Sequence, residues 1–241
     1  MTSTRATAAS RRRSRTAALF RFDRSLGVRV VAGADEAGRG CLAGPLVAAS
    51  VAFDLEAIDR RARRDPEGLD DSKRFAPARR EELAAAILRH ARQVVVMSAC
   101  APSVDRNVLH RSNLRLLAQC LAAIDPRPDA CVVDGFRLPE PAPEHRAVID
   151  GDATSAAVAV ASVIAKTTRD RLMAGPVHTT WPVFGFERHV GYSTREHQDA
   201  LRAAGLSPLH RRSFRSGAYP DLRLFDVGPP GPDGAWNASA T

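Results

Sequence analysis

The chain has almost no lysine: of its 35 basic residues only Lys73 and Lys166 are lysine. That bias points to a GC-rich genome rather than to a function. No apolar run is long enough to span a bilayer as a helix, which argues against a helical membrane protein. The four cysteines, Cys41, Cys100, Cys120 and Cys131, form no CxxC pair and keep no His/Cys ligand spacing. Three of them lie in apolar runs, where a free thiol acts as a small hydrophobe, so buried reduced thiols in a reducing compartment are expected. Acid is missing from Met1 to Phe22, which is rich in Ser, Thr, Ala and Arg. The same stretch lacks an apolar h-region, which excludes a secretory signal. Its composition fits an organellar transit peptide or a disordered basic arm that touches phosphates nonspecifically. The arm is the reading adopted for residues 1–26.

That arm also explains most of the charge. Residues 1–26 hold seven arginines and one acid, Asp23, which is +6 of the formal net charge of +8. The remainder is close to neutral, so composition alone argues only weakly for nucleic acid. At 241 residues and 44% hydrophobic content, the chain suits one globular domain with a full core. That domain is placed at 27–216, with a Pro-, Gly-, Asp- and Ala-rich disordered tail at 217–241. No internal repeat is visible.

What the chain does contain is concentrated between Val31 and Phe53, VAGADEAGRGCLAGPLVAASVAF. Two adjacent acids, Asp35 and Glu36, follow a valine-rich lead-in. Gly33, Gly38 and Gly40 surround them, and Arg39 lies between two of those glycines. The pattern reads as strand, glycine-rich turn, strand. An acid pair at the end of a buried strand is costly to keep ionised unless it is paired or binds a cation.

Further on, Pro77 to Arg92 reads as a helix, Val94 to Met97 as a strand, and Asn107 to Ile124 as a second helix. Ala130 to Gly135 is a short apolar strand ending on Asp134. Ala147 to Asp150 is another, and Gly151-Asp152 turns the chain into a helix from Ala153 to about Met173. This helix is apolar nearly all round through Ile164, so it should be buried. The alternation implies α/β layers, and from Trp181 onward the chain reads as loop and helix.

Acids therefore stand at three strand ends: Asp35-Glu36, Asp134, and Asp150 or Asp152. Converging carboxylates make an oxygen site for a hard divalent cation, Mg²⁺ or Mn²⁺. Two such ions clamp the attacking and leaving oxygens of a phosphoryl displacement. The bland readings stay open: Asp152 as an N-cap, and Asp134-Gly135 and Asp150-Gly151 as plain turns. Neighbouring residues on a strand face opposite ways. Asp35 and Glu36 can thus share a site only if the strand ends there, or if Glu36 offers its carbonyl.

The set GADEAGRGCLAGPLVAASV, DDSKR, VVDG, GDATSAAVAVASVIAKTTRD, FGFERHVGYSTREH and LHRRSF, in that order from about Gly27 to Phe214, resembles the bacterial ribonuclease HII family. The resemblance implies an α/β, RNase H-like fold with a mixed five-stranded central sheet flanked by helices, plus a helical C-terminal part. It implies a metal-dependent endonuclease that cuts the RNA strand of RNA/DNA hybrids. It also implies incision 5′ of ribonucleotides embedded in duplex DNA, leaving 3′-hydroxyl and 5′-phosphate ends. The four metal-site acids match Asp35, Glu36, Asp134 and Asp152. Gly38-Arg39-Gly40 matches the turn that reads the ribose 2′-hydroxyl. Tyr192 matches the tyrosine that stacks on the following deoxyribose.

Lys73, Lys166 and Arg169 fall in matching motifs as substrate contacts, and they serve equally as structural ion-pair partners. The same holds for His210 and Arg211. His189 and His197 are expected to pack or hydrogen-bond. Asp150 and Val190 depart from the family pattern. The implied protein is a monomeric cytoplasmic enzyme with a divalent metal cofactor. A non-cleaving hybrid-binding module and another divalent-metal nuclease on the same fold remain alternatives.

Overall fold

A computed structural model of the protein describes residues 18–62, 88–214 and 219. Lys73 and most of the helix expected over residues 77–92 lie outside the described residues; 88–90 are helical. The chain divides into two compact units. One comprises Met1–Ala37, Val47–Met97 and Asn113–Thr167; the other comprises Gly38–Leu46, Ser98–Ser112 and Thr168–Thr241.

The strands are β1 (Val30–Ala37), β2 (Leu46–Asp54), β3 (Gln93–Ala99), β4 (Ala130–Asp134) and β5 (Arg146–Val148). They form one mixed sheet in the order β3-β2-β1-β4-β5. β1 runs antiparallel to β2 and parallel to β4, and β4 runs parallel to β5. The helices, in chain order, are α1 (residues 18–25), α2 (Leu55–Ala62), α3 (Ala101–Asn107), α4 (Leu109–Ala122), α5 (Gly151–Thr154), α6 (Ala156–Leu172), α7 (His178–Thr180), α8 (Phe186–His189) and α9 (Arg195–Ala204). No helix among the described residues is long and apolar enough to cross a membrane.

In the first unit β1 is almost wholly buried, so it is built from small and β-branched residues. α6 packs directly on it. A Cβ on Gly33 would lie 2.1 Å from the carbonyl carbon of Ala157, so only glycine permits this approach. The all-round apolar face of α6 is buried from Ala156 through Ala165, as its composition requires.

Three expectations change on contact with the structure. The helix expected from Ala153 breaks at Ser155, which is extended (φ −109, ψ 132). Its hydroxyl accepts from the Val158 amide at 3.3 Å, as an N-cap does, so α6 begins afresh there. The helix expected over 107–124 is interrupted at Val108, whose φ is +65.

The third change concerns the arm drawn to residue 26. Residues 18–25 form α1, with Leu19 and Phe20 buried and Phe22 and Leu26 packed on the same core. Phe20 meets Phe53 edge-on at 6.5 Å. Asp23 is fully buried and accepts from the Ser155 hydroxyl at 2.6 Å and the Ala157 amide at 3.0 Å. A charge count over the whole stretch masked this local apolar face, because Arg21 and Arg24 on the same helix are exposed.

The second unit has its own core of Leu42, Ala43, Met173, Trp181, Phe184, Phe186, Leu201 and Leu206, with Tyr219 packed against it. Cys41, Cys120 and Cys131 are buried free thiols; Cys100 is exposed.

Candidate active site

The parallel pairing of β1 with β4 sets Ala34 opposite Val133, so Asp35 and Asp134 follow side by side at the same end of neighbouring strands. β5 pairs Val148 with Asp134. The chain then turns through Asp150, left-handed at φ +52, and enters α5. The Gly151 amide donates to Asp134 Oδ1 at 2.6 Å. Two of the four sequence-predicted acids, Asp35 and Asp134, are thereby set at one end of the sheet by register, and one amide ties the start of α5 to Asp134. Asp152 follows in the first turn of α5. It is not the N-cap; Asp150 holds that position without a side-chain cap bond.

Asp35 is 2% exposed. Its Oδ1 accepts the Glu36 amide at 2.7 Å, and the Ser162 hydroxyl on α6 also hydrogen-bonds the carboxylate. Its Oδ2 is buried with no hydrogen-bond partner among the described residues. Burial first, then the charges of Glu36 and Asp134, push its pKa well above the ordinary carboxylate value. A buried carboxylate with an unpartnered oxygen beside two further acids requires a proton or a cation. This donor set fits a hard divalent ion held by oxygens.

The acids are not yet gathered around one point: among the described residues, no three His, Cys, Asp or Glu side chains stand close enough to hold a metal. β1 also runs on to Ala37, so strand alternation alone would part the Glu36 side chain from Asp35. Lys166 lies one helical turn beyond Ser162 on α6, and therefore on the same face.

In the second unit, the Gly38–Pro45 turn is held from within by two buried arginines. Arg169 is fully buried and donates to the carbonyls of Pro45 (3.0 Å), Val190 (2.9 Å) and Ala43 (2.9 Å). Arg211, also fully buried, donates to Gly44 (3.2 and 3.0 Å) and Arg39 (3.1 Å). Burial, with Arg169 next, lowers its pKa to about 10. Of the two roles the sequence left open for Arg169, substrate contact or structural partner, the packing supports the structural one. Its guanidinium lies out of solvent with donors turned to carbonyls. Gly38 sits against it at φ +89, where a Cβ would come within 2.1 Å of Nε. Arg39 and Gly40, by contrast, are exposed.

Tyr192, 39% exposed, lies on the loop after α8. Beneath it are the buried rings of His189, His197 and His210, with His189 and His197 stacked at 4.5 Å and 17°. Sequence reading missed Ser162, although it is the single hydroxyl in the apolar run from Ala156 to Ala165. It missed Asp23 as well, because that acid was assigned to the arm.

The family model for Ribonuclease HII matches residues 32–216. The ribonuclease HII of Geobacillus kaustophilus (strain HTA426) is 44% identical over 199 residues, covering 81% of this chain and 73% of the relative. The crystal structure of ribonuclease H2 from Pyrococcus horikoshii OT3 resembles this chain with a TM-score of 0.66 at 25% identity, covering 77% of this chain and 94% of that one. Bst ribonuclease HIII, solved in complex with Mn²⁺, shares the fold at 21% identity and a TM-score of 0.54, covering 76% of this chain and 65% of that one. The sheet order and the acids at its edge thus have a clear kinship: the chain belongs to the ribonuclease HII family and is an endonuclease of the ribonuclease H type.

Proposed function

We propose that the protein cuts the RNA strand of RNA/DNA hybrids and incises duplex DNA on the 5′ side of an embedded ribonucleotide, leaving 3′-hydroxyl and 5′-phosphate ends. Asp35, Glu36, Asp134 and Asp152 would hold Mg²⁺ or Mn²⁺, which when bound supplies charge for the pentacovalent transition state and a more acidic water. The observation that carries this reading is Asp35: a buried carboxylate with a partnerless Oδ2 beside acids at the same strand ends. Ser162 and the Gly151 amide fix the orientations of Asp35 and Asp134, so two ligands are pre-aimed. Lys166, on the Ser162 face of α6, contributes positive charge towards a phosphate.

Specificity is assigned to the second unit. Gly38-Arg39-Gly40 reads the ribose 2′-hydroxyl, the group that separates RNA from DNA at one residue. Arg39 and Gly40 are exposed while Arg211 holds the Arg39 carbonyl from within, which suits that role. The exposed ring of Tyr192 packs on the deoxyribose that follows. We place the enzyme in the cytoplasm, acting as a monomer.

The test is a duplex with one embedded ribonucleotide, incubated with Mg²⁺, with Mn²⁺ or with chelator. Incision 5′ of the ribonucleotide that depends on the ion is expected. It should disappear in Asp134→Asn and Asp152→Asn and persist in Asp150→Asn. Binding without incision would leave a hybrid-binding module, and a cut indifferent to the ribonucleotide would leave a different nuclease on the same fold.

A further inference from the structure

The three histidines of the second unit can be given definite tautomers, because each of their ring nitrogens faces a group of fixed polarity or a ring already settled. His189 Nε2 lies 2.7 Å from the Phe184 carbonyl, and its Nδ1 receives the Gly191 amide at 3.2 Å. A carbonyl only accepts and an amide N–H only donates, so His189 carries its proton on Nε2. His197 Nδ1 lies 2.9 Å from the Tyr192 carbonyl, which places its proton on Nδ1. His210 Nδ1 receives the Ser207 amide at 3.0 Å and meets the Ser207 hydroxyl at 2.9 Å, which leaves its proton on Nε2.

The remaining contact, His197 Nε2 to His210 Nε2 at 3.0 Å, then closes correctly: His210 donates and His197 accepts. The hydrogen bonds run one way, from Ser207 through His210 and His197 to the Tyr192 carbonyl. That carbonyl also accepts the Thr194 amide at 2.8 Å, so both of its lone pairs are engaged.

A second proton anywhere in the stack would set N–H against N–H. Burial lowers the pKa of His197 to about 4 and of His210 to about 3, with neighbouring rings adding to the effect. Outside the three rings, the charges acting on the stack are Glu196, which raises the pKa of His189, and Arg188, which lowers it. Both are exposed.

We infer that His197 and His210 are positioning residues: their directed hydrogen-bond chain fixes the backbone of Tyr192 and so aims its ring at the sugar that follows the ribonucleotide. This rests on the role proposed for Tyr192. The second unit thereby carries its specificity side chain on a loop whose carbonyl is anchored by a histidine ring and a turn amide rather than by helix or strand pairing. Orientation errors of about 1 Å cost on the order of a hundredfold at a reacting centre, so holding one backbone carbonyl is enough to matter.

The experiment measures kcat/KM on a single-ribonucleotide duplex and on a long hybrid, reported as a ratio, for wild type, Tyr192→Ala, His197→Phe, His197→Asn and the double variant Tyr192→Ala with His197→Phe. Tyr192→Ala should lower the ratio roughly tenfold, and His197→Phe about fivefold or more. His197→Asn keeps an N–H where Nδ1 stood but offers no acceptor to His210, so its ratio should fall between those of His197→Phe and wild type. The double variant should be no worse than Tyr192→Ala, because His197 acts through the tyrosine.

Additive losses in the double variant would overturn the inference. So would an unchanged ratio in His197→Phe while Tyr192→Ala is impaired, and in that case the Tyr192 reading would stand. If Tyr192→Ala itself leaves the ratio unchanged, the reading of Tyr192 falls and the inference falls with it. Imidazole ¹⁵N spectra of the wild type provide a readout that needs no variant to fold. They should show His197 protonated on Nδ1 and His210 on Nε2, with neither ring titrating from about pH 8 down to about pH 5. The opposite tautomer, or titration within that range, would refute the chain of bonds.

Discussion

The acids of the first unit and the histidines of the second are both buried polar clusters, yet their hydrogen-bond accounts differ. Around Asp35 the account does not close: one oxygen has no partner among the described residues, and neighbouring charges oppose its ionisation. Around His197 and His210 it closes completely, with every ring nitrogen matched to a donor or acceptor of the right sense. Burial alone therefore does not distinguish a site from a scaffold. Here the open account belongs to the acid proposed to bind a cation, and the closed one to rings that hold a backbone carbonyl still.

The sharpest way to break this contrast is Asp35→Asn. The cut should slow by about a thousandfold or more, because one of the proposed metal ligands is lost. Without divalent metal the variant should melt a few degrees above wild type, since a repelled and underpartnered carboxylate has been made neutral. Thermal unfolding in chelator alongside a cleavage assay checks both halves. A variant that is both inactive and less stable would mean that Asp35 is braced rather than open.

His210→Ala tests the closed account and should behave in the opposite way. It removes a fully buried ring and leaves His197 Nε2 and the Ser207 amide without their partner. A loss of about 2–4 kcal/mol is expected, read as a lower urea midpoint with an unchanged slope. A loss below about 0.5 kcal/mol would show that the network contributes no stability.

Asp23 lies between the two cases, buried but hydrogen-bonded, with desolvation raising its pKa to about 6 despite the bonds from Ser155 and Ala157. Because the folded value lies above the ordinary carboxylate value of 3.8, its favourable contribution is complete below about pH 4. That contribution is lost as pH rises through 6. Asp23→Asn should therefore flatten the decline in stability between about pH 4 and 6, by roughly 1–3 kcal/mol at most. Equal slopes for variant and wild type in denaturant titrations at several pH values would refute it.

Some of this was legible in the sequence for simple reasons. β1, β4 and α6 are long or strongly apolar, and each acid sits where such a run meets glycine, so strand ends and acids could be placed together. Three features escaped. Arg169 lies in a polar stretch that looks like a phosphate contact, and only the fold shows its guanidinium buried among carbonyls. The helix over residues 18–25 hid inside a segment judged by total charge. The histidines are separated by 8 and 13 residues, a spacing with no local meaning until α9 and the following loop bring them together. Interactions between residues distant in sequence leave no periodicity to read.

The turn from Gly38 to Pro45 has a consequence for biosynthesis. It is encoded early, between β1 and β2, yet the arginines that hold its carbonyls lie 124 and 172 residues further along. At roughly 5–20 residues per second, a ribosome exposes the turn several seconds before Arg169 is made, and longer still before Arg211. During that interval the nascent chain presents Arg39 on a segment without its supports. A chain released short of Arg211 should be nicked there by trypsin, whereas the finished protein should resist.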